Sequence, residues 1–127
     1  MVKNLRILAL MTFLLSIGLC GYGYCTQSPS KVLLEIRKLY IQGRYSQIEK
    51  HLSKNAYTKV NSVLYQGVRR AFEYSIFSNR YQIFIKGEKI HGEGAIVYYS
   101  FESGDSKYGP HKINFIFERG AWKLDEW

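Results

Sequence analysis

Chemistry in this chain has to be built from three histidines, two cysteines, 11 tyrosines and ten Asp/Glu carboxylates. A metal site needs two or three imidazoles converging at about 2.0–2.1 Å on one ion. His51 falls in a helical stretch, while His91 opens one predicted strand and His111 the next. Antiparallel strands set those two on the order of 25–30 Å apart at about 3.3 Å per residue. No metal site and no cofactor are expected, and each imidazole reads as a surface or loop group. Proton transfer needs an acid or base tuned by an apolar surround. Only Glu126, two residues past Leu124, can reach the predicted apolar face, so no catalytic set is assigned. Tyr40, Tyr81 and Tyr98, with Trp122, are the candidates for lining a ligand pocket; tyrosines at core spacing also serve simply as packing residues. The chain carries no glycine-rich phosphate loop, serine nucleophile elbow or zinc spacing.

The segments that must position these groups begin after an export signal. Lys3 and Arg6 precede an apolar run from Ile7 to Leu19 that is too short to span about 30 Å of hydrocarbon. Its proportions match a signal peptide over residues 1–23, with cleavage after Gly23 and a short linker at 24–28. Ile17-Gly18-Leu19-Cys20 resembles a lipoprotein box at its outer positions, with bulky Leu19 departing from it; Cys20 is therefore the candidate lipid anchor. The expected location is the periplasm or the extracellular side, with membrane anchoring as the lipoprotein alternative. No cysteine lies beyond residue 25, so the domain has no internal disulfide and rests on packing.

The remaining hundred or so residues suit one domain, and their aromatic and β-branched content excludes a disordered chain. Ser28-Pro29 starts a helix, as cap and first-turn proline. Leu33, Ile36, Leu39 and Tyr40 continue it to Gly43. A short second helix carries Tyr45, Ile48 and Leu52. A third and longest helix is read from Val60, Leu64, Gly67, Ala71 and Ser75, flanked by Val63, Val68 and Phe72, with Gly67 admitting a close neighbour. Near Asn79 the apolar period changes to two. Four strands follow: from Tyr81 to Lys86, Glu93–Phe101, Lys112–Glu118 and Ala121–Trp127. Longer turns join the first three, and Arg119-Gly120 makes the last, tight one. The fold class is α+β, with N-terminal helices packed on a curved four-stranded antiparallel meander.

Pairing Phe117 with Trp122, Phe115 with Leu124, Tyr98 with Phe115 and Ile83 with Ile96 defines the expected core face. It puts Phe84, Val97, Tyr99, Phe101 and Ile116 on the outer side, where contiguous apolar surface marks a partner site. Charge is uneven: residues 31–80 hold ten Lys/Arg against three Glu, and residues 81–127 six against seven Asp/Glu. The basic half reads first as a solvated helix surface; behind an export signal, its candidate partner is an anionic envelope polymer or lipid rather than nucleic acid.

The Gly43-Arg44-Tyr45 turn after a proline-led helix, and the last hairpin with Gly120 followed by Trp122-Lys123-Leu124, resemble the nuclear transport factor 2-like superfamily. The likeness spans about residues 29–127 and is strongest to its small exported bacterial members. It implies a cone of sheet wrapped around helices, with a pocket at the open end and dimerisation through the outer sheet face. The superfamily holds isomerases, dehydratases, transport factors and assembly domains, and its enzymes' polar residues find no matching positions here. The expected function is an exported, non-enzymatic binding or assembly domain at the cell envelope. Its alternative is a small-molecule carrier, or an isomerase or dehydratase, with a Tyr-lined pocket.

Overall fold

The computed structural model describes residues 26–127. The signal segment, Cys20, Cys25 and the cleavage point after Gly23 lie outside them. The elements run α1 (Pro29–Ile41), α2 (Tyr45–Ile48) continued by a 3-10 turn (Glu49–His51), α3 (Lys54–Val60), α4 (Val68–Ala71), then β1 (Gln82–His91), β2 (Gly94–Ser103), β3 (Ser106–Glu118) and β4 (Ala121–Glu126). The fold is α+β, with the four strands in one antiparallel sheet of order β1-β2-β3-β4. No helix among the described residues is long and apolar enough to cross a membrane.

Local chemistry sets the first elements. The Ser28 hydroxyl accepts from the Lys31 N–H and Pro29 fills the first turn of α1, where a missing N–H costs nothing. Its end is closed by the Arg44 N–H on the Leu39 carbonyl and the Gly43 N–H on that of Tyr40, a Schellman pair that a glycine at φ +72° permits. At α3, Ser53 is nearly fully buried and fully used. Its hydroxyl caps Ala56 N–H at 3.0 Å and donates to Asp125 Oδ1 at 2.7 Å, while its own N–H reaches the Leu124 carbonyl at 2.8 Å. One serine thus starts a helix and fastens it to β4.

The expected long third helix is two short ones. α3 ends at Val60, and Gln66 (φ 58°) and Gly67 (φ 125°) follow in conformations no right-handed helix contains. The chain loops back so that the Gly67 N–H donates to the Val60 carbonyl. Val63 and Leu64, read as flanking and stripe residues, are 90% and 73% exposed, while Val60, Val68, Ala71 and Phe72 are buried. A Cβ on Gly67 would meet nothing within 4 Å, so this glycine serves its backbone angle and not a close neighbour.

The first three strands are longer, and the turns joining them tighter, than the sequence predicts. β1 runs on to His91, so that histidine closes β1 instead of opening β2. Two-residue turns at Gly92-Glu93 and Gly104-Asp105 join the first three strands. Gly87 and Gly109, which read as turn signals, sit beside irregularities inside β1 and β3. The β3–β4 pairing is the expected one: Phe115 opposite Leu124, Phe117 opposite Trp122, Glu118 opposite Ala121. The β2 pairings are not. Ile83 lies opposite Phe101, Ala95 opposite Phe115 and Val97 opposite Ile113. Both offsets are odd, so β2 turns its other face to the helices. Val97, Tyr99 and Phe101, expected outside, join Ala95, Ile113, Phe115, Trp122 and Leu124 against the helical layer, and Ile96 and Tyr98 take the outer side. Val97 is wholly buried. Across the sheet, α1 contributes Val32, Leu33, Ile36 and Leu39, and the later segments Ile48, Leu52, Phe72, Ile76 and Phe77.

Candidate functional site

The corrected register places an aromatic run at one end of the inner sheet face. Tyr99 of β2 pairs across the ladder with His111 of β3, and Phe101 with Tyr108. Directly opposed side chains on a sheet lie close enough for rings to stack. Phe101 stacks on Tyr108 (5.0 Å between centroids, 21°) and on His111 (5.3 Å, 25°), and meets Tyr81 edge-on at 5.0 Å. Tyr99 lies 5.7 Å from His111.

Facing these rings across a recess of about 450 Å³ stand Tyr65, Arg70, Ala71, Tyr74, Ser75 and Ile76, with Trp127 closing one side. Trp127 is held by the buried Phe72 ring, 5.0 Å away and nearly perpendicular, and by Tyr65 at 6.4 Å. Lys59 Nζ lies 4.1 Å from the Trp127 ring centroid, and the Arg80 guanidinium 4.8 Å from that of Tyr74. Tyr81 is fixed through its backbone, because the half-buried Arg37 donates to the carbonyls of Ile76 and Tyr81. That guanidinium ties the end of the helical layer to the start of the sheet.

No Asp or Glu side chain lines the recess. Arg70 is exposed and donates to Gln66 Oε1 at 3.2 Å, and no ion pair engages it among the described residues. Burial pushes the Tyr99 phenol above its ordinary pKa of 10, so it stays a neutral hydroxyl. Ser75 is committed to the backbone, donating to the Phe72 carbonyl at 2.9 Å. The arrangement offers ring faces, phenolic hydroxyls, one imidazole and one guanidinium, which is equipment for holding a flat ligand.

A second, wider recess of about 650 Å³ lies on the outer sheet face around Ile96, Tyr98 and Ile116, with Lys89, His91, Glu93, Asn114, Asp125 and Glu126 about it. Among the described residues, no group of three His, Cys, Asp or Glu side chains gathers to hold a metal ion.

The pocket residues expected from the sequence are therefore scattered. Tyr81 lines the inner recess. Tyr98 reaches the outer one, carried there by the β2 register. Glu126 goes there too, because an irregularity between Asn114 and Phe115 sets it opposite Asn114, whose amide donates to it at 3.1 Å. Tyr40 lines neither recess; it donates to the Arg69 carbonyl at 2.7 Å and packs on Tyr45. Trp122 is buried in the core, its ring 5.3 Å from Phe117. Of the partner-surface residues, Phe84 and Ile116 remain outside, while Tyr99 and Phe101 become recess walls and Val97 becomes core. Sequence reading missed Tyr65, Arg70, Tyr74, His111 and Trp127. The available signal was Ala95-Val97-Tyr99-Phe101, four apolar residues at period two, against Gly94-Ile96-Tyr98-Ser100 on the other face. Compared with family models, curated proteins and solved structures, this chain matches none.

Proposed function

We propose that the chain is an exported, non-enzymatic binding domain of the cell envelope, of nuclear transport factor 2-like architecture. On this reading a small cyclic ligand seats in the aromatic recess between the helices and the inner sheet face. The observation that carries it is the array of Tyr81, Tyr99, Phe101 and His111 facing Tyr65 and Trp127 across about 450 Å³. That volume lies within the usual range of small-molecule sites, about 300–1,000 Å³. The four-stranded meander covered by helices on one face supports the architecture, and the residue 1–23 pattern supports export.

The test uses protein recovered from outside the bacterial cytoplasm. Intact mass should correspond to cleavage after Gly23 or to a lipidated Cys20, and the intact 14.8 kDa chain would refute export. A thermal-shift screen of cyclic metabolites should then find a ligand whose stabilisation is lost in Tyr81→Ala and His111→Ala and kept in Tyr98→Ala. Stabilisation indifferent to the first two variants would refute the recess.

A second reading is supported by the outer face. Phe84, Ile96, Tyr98 and Ile116 form an apolar strip there, with Lys89 at its β1 side and Glu126 at its β4 side. This strip suits assembly with a second copy.

A further inference from the structure

We infer that the aromatic recess selects ligands carrying one carboxylate on a ring system, with Arg70 as the anion-binding group. The inference rests on the recess being a ligand site and adds the charge class of what it holds.

Three observations point to an anion. Arg70 lines the recess and spends one hydrogen bond on Gln66, leaving the rest of its five-donor fork uncommitted among the described residues. The lining holds no Asp or Glu side chain to neutralise it. Two further cations, Lys59 and Arg80, lie against the rings of the wall residues Trp127 and Tyr74 without lining the recess themselves. Aromatic walls alone would welcome a cationic ligand. Here one cation in the lining and two behind it repel such a ligand. A neutral ring would stack equally well but would leave the guanidinium unanswered. A single planar guanidinium matches a single carboxylate through two parallel N–H donors. The recess volume has room for a ring system of two fused rings.

Calorimetric titration at 150 mM salt tests this with three isosteric probes: 2-naphthoate, 2-naphthylmethanol and 2-naphthylmethylammonium. Naphthoate should bind about tenfold more tightly than the alcohol, as a charge-assisted hydrogen bond supplies, and the ammonium most weakly. Arg70→Gln, on an exposed helix position, should bring naphthoate down to the alcohol's affinity, with a far smaller effect on the alcohol. Lys59→Gln should keep most of the preference, since Lys59 acts at a distance. Equal affinity for acid and alcohol would overturn the charge assignment while leaving the recess as a site. So would a preference lost as fully in Lys59→Gln as in Arg70→Gln. Failure of all three probes to bind would overturn the recess itself.

Discussion

His51 shows how one side chain can couple this fold to pH. It lies in the 3-10 turn before α3, half-buried, with its Nε2 enclosed and without a hydrogen-bond partner. Burial is the main cause holding its pKa below the ordinary 6.5, helped by Lys50 and, from β4, Lys123; Glu35 on α1 opposes them. The unfolded chain therefore takes up a proton at a pH where the folded chain does not. Stability contributed by the neutral imidazole is complete above about pH 6.5 and falls as pH drops below it. Urea denaturation at pH 7.5 and 5.5 should show lower stability at the acid value, and His51→Gln should shrink that difference. An unchanged difference in the variant would assign the acid sensitivity to other groups. The sequence foretold only that His51 was a helix-surface residue. Two of the charges that act on it, Glu35 and Lys123, stand 16 positions before and 72 after it, and no local pattern brings them together.

At the scale of elements, what was legible depended on contrast between faces. The β3–β4 register was legible because the tight Arg119-Gly120 turn fixes it and Trp122 and Leu124 alternate with Lys123 and Asp125. Phe117, expected in the core, is however 37% exposed at the end of β3. The facing of β2 was not legible, because both of its faces are apolar, and only the polar ends of the Gly94-Ile96-Tyr98-Ser100 series mark it as the outer one. The long third helix failed for a different reason: its periodicity holds on either side of a break made by two positive-φ residues. Gly67 reads as a helix glycine with a close neighbour and Gly109 as a loop glycine, and their surroundings reverse that reading. A Cβ at Gly67 meets open space, whereas one at Gly109 would lie 2.9 Å from Ser100 Cα and 3.1 Å from the Tyr99 carbonyl. Both have φ far from L-residue territory. Gly67→Ala should cost about 1 kcal/mol of backbone strain. Gly109→Ala should cost about 2–4 kcal/mol, since the β2 and β3 backbones must also part. Because Tyr99 forms one side of that contact, Gly109→Ala should also weaken ligand binding in the recess, while Gly67→Ala should not. Equal losses of stability in the two variants would show that close packing at Gly109 is unimportant.

For the whole molecule, the remaining question is what covers the outer sheet face. The sequence placed Tyr99 and Phe101 there, and their substitution would have damaged the recess and core instead of an interface. One row across this face runs from Lys89 of β1 through Ile96 and Asn114 to Glu126 of β4, with a cation at one end and a carboxylate at the other. A twofold axis running along the strands would lay the β1 edge of one copy over the β4 edge of its partner, twice, setting Lys89 against Glu126 in each case. The apolar strip of Phe84, Ile96, Tyr98 and Ile116 would be buried between them, as a stable interface requires. Sedimentation at about 100 µM should then give a dimer. Lys89→Glu should make it monomeric by setting like charges face to face, and adding Glu126→Lys to the same chain should restore the dimer by reversing the pair. A monomeric wild-type chain would end the assembly reading, and a dimer indifferent to Lys89→Glu would place its interface on another surface. Neither result would touch the aromatic recess, which opens on the opposite side of the sheet, so binding and assembly can be judged separately in the same molecule.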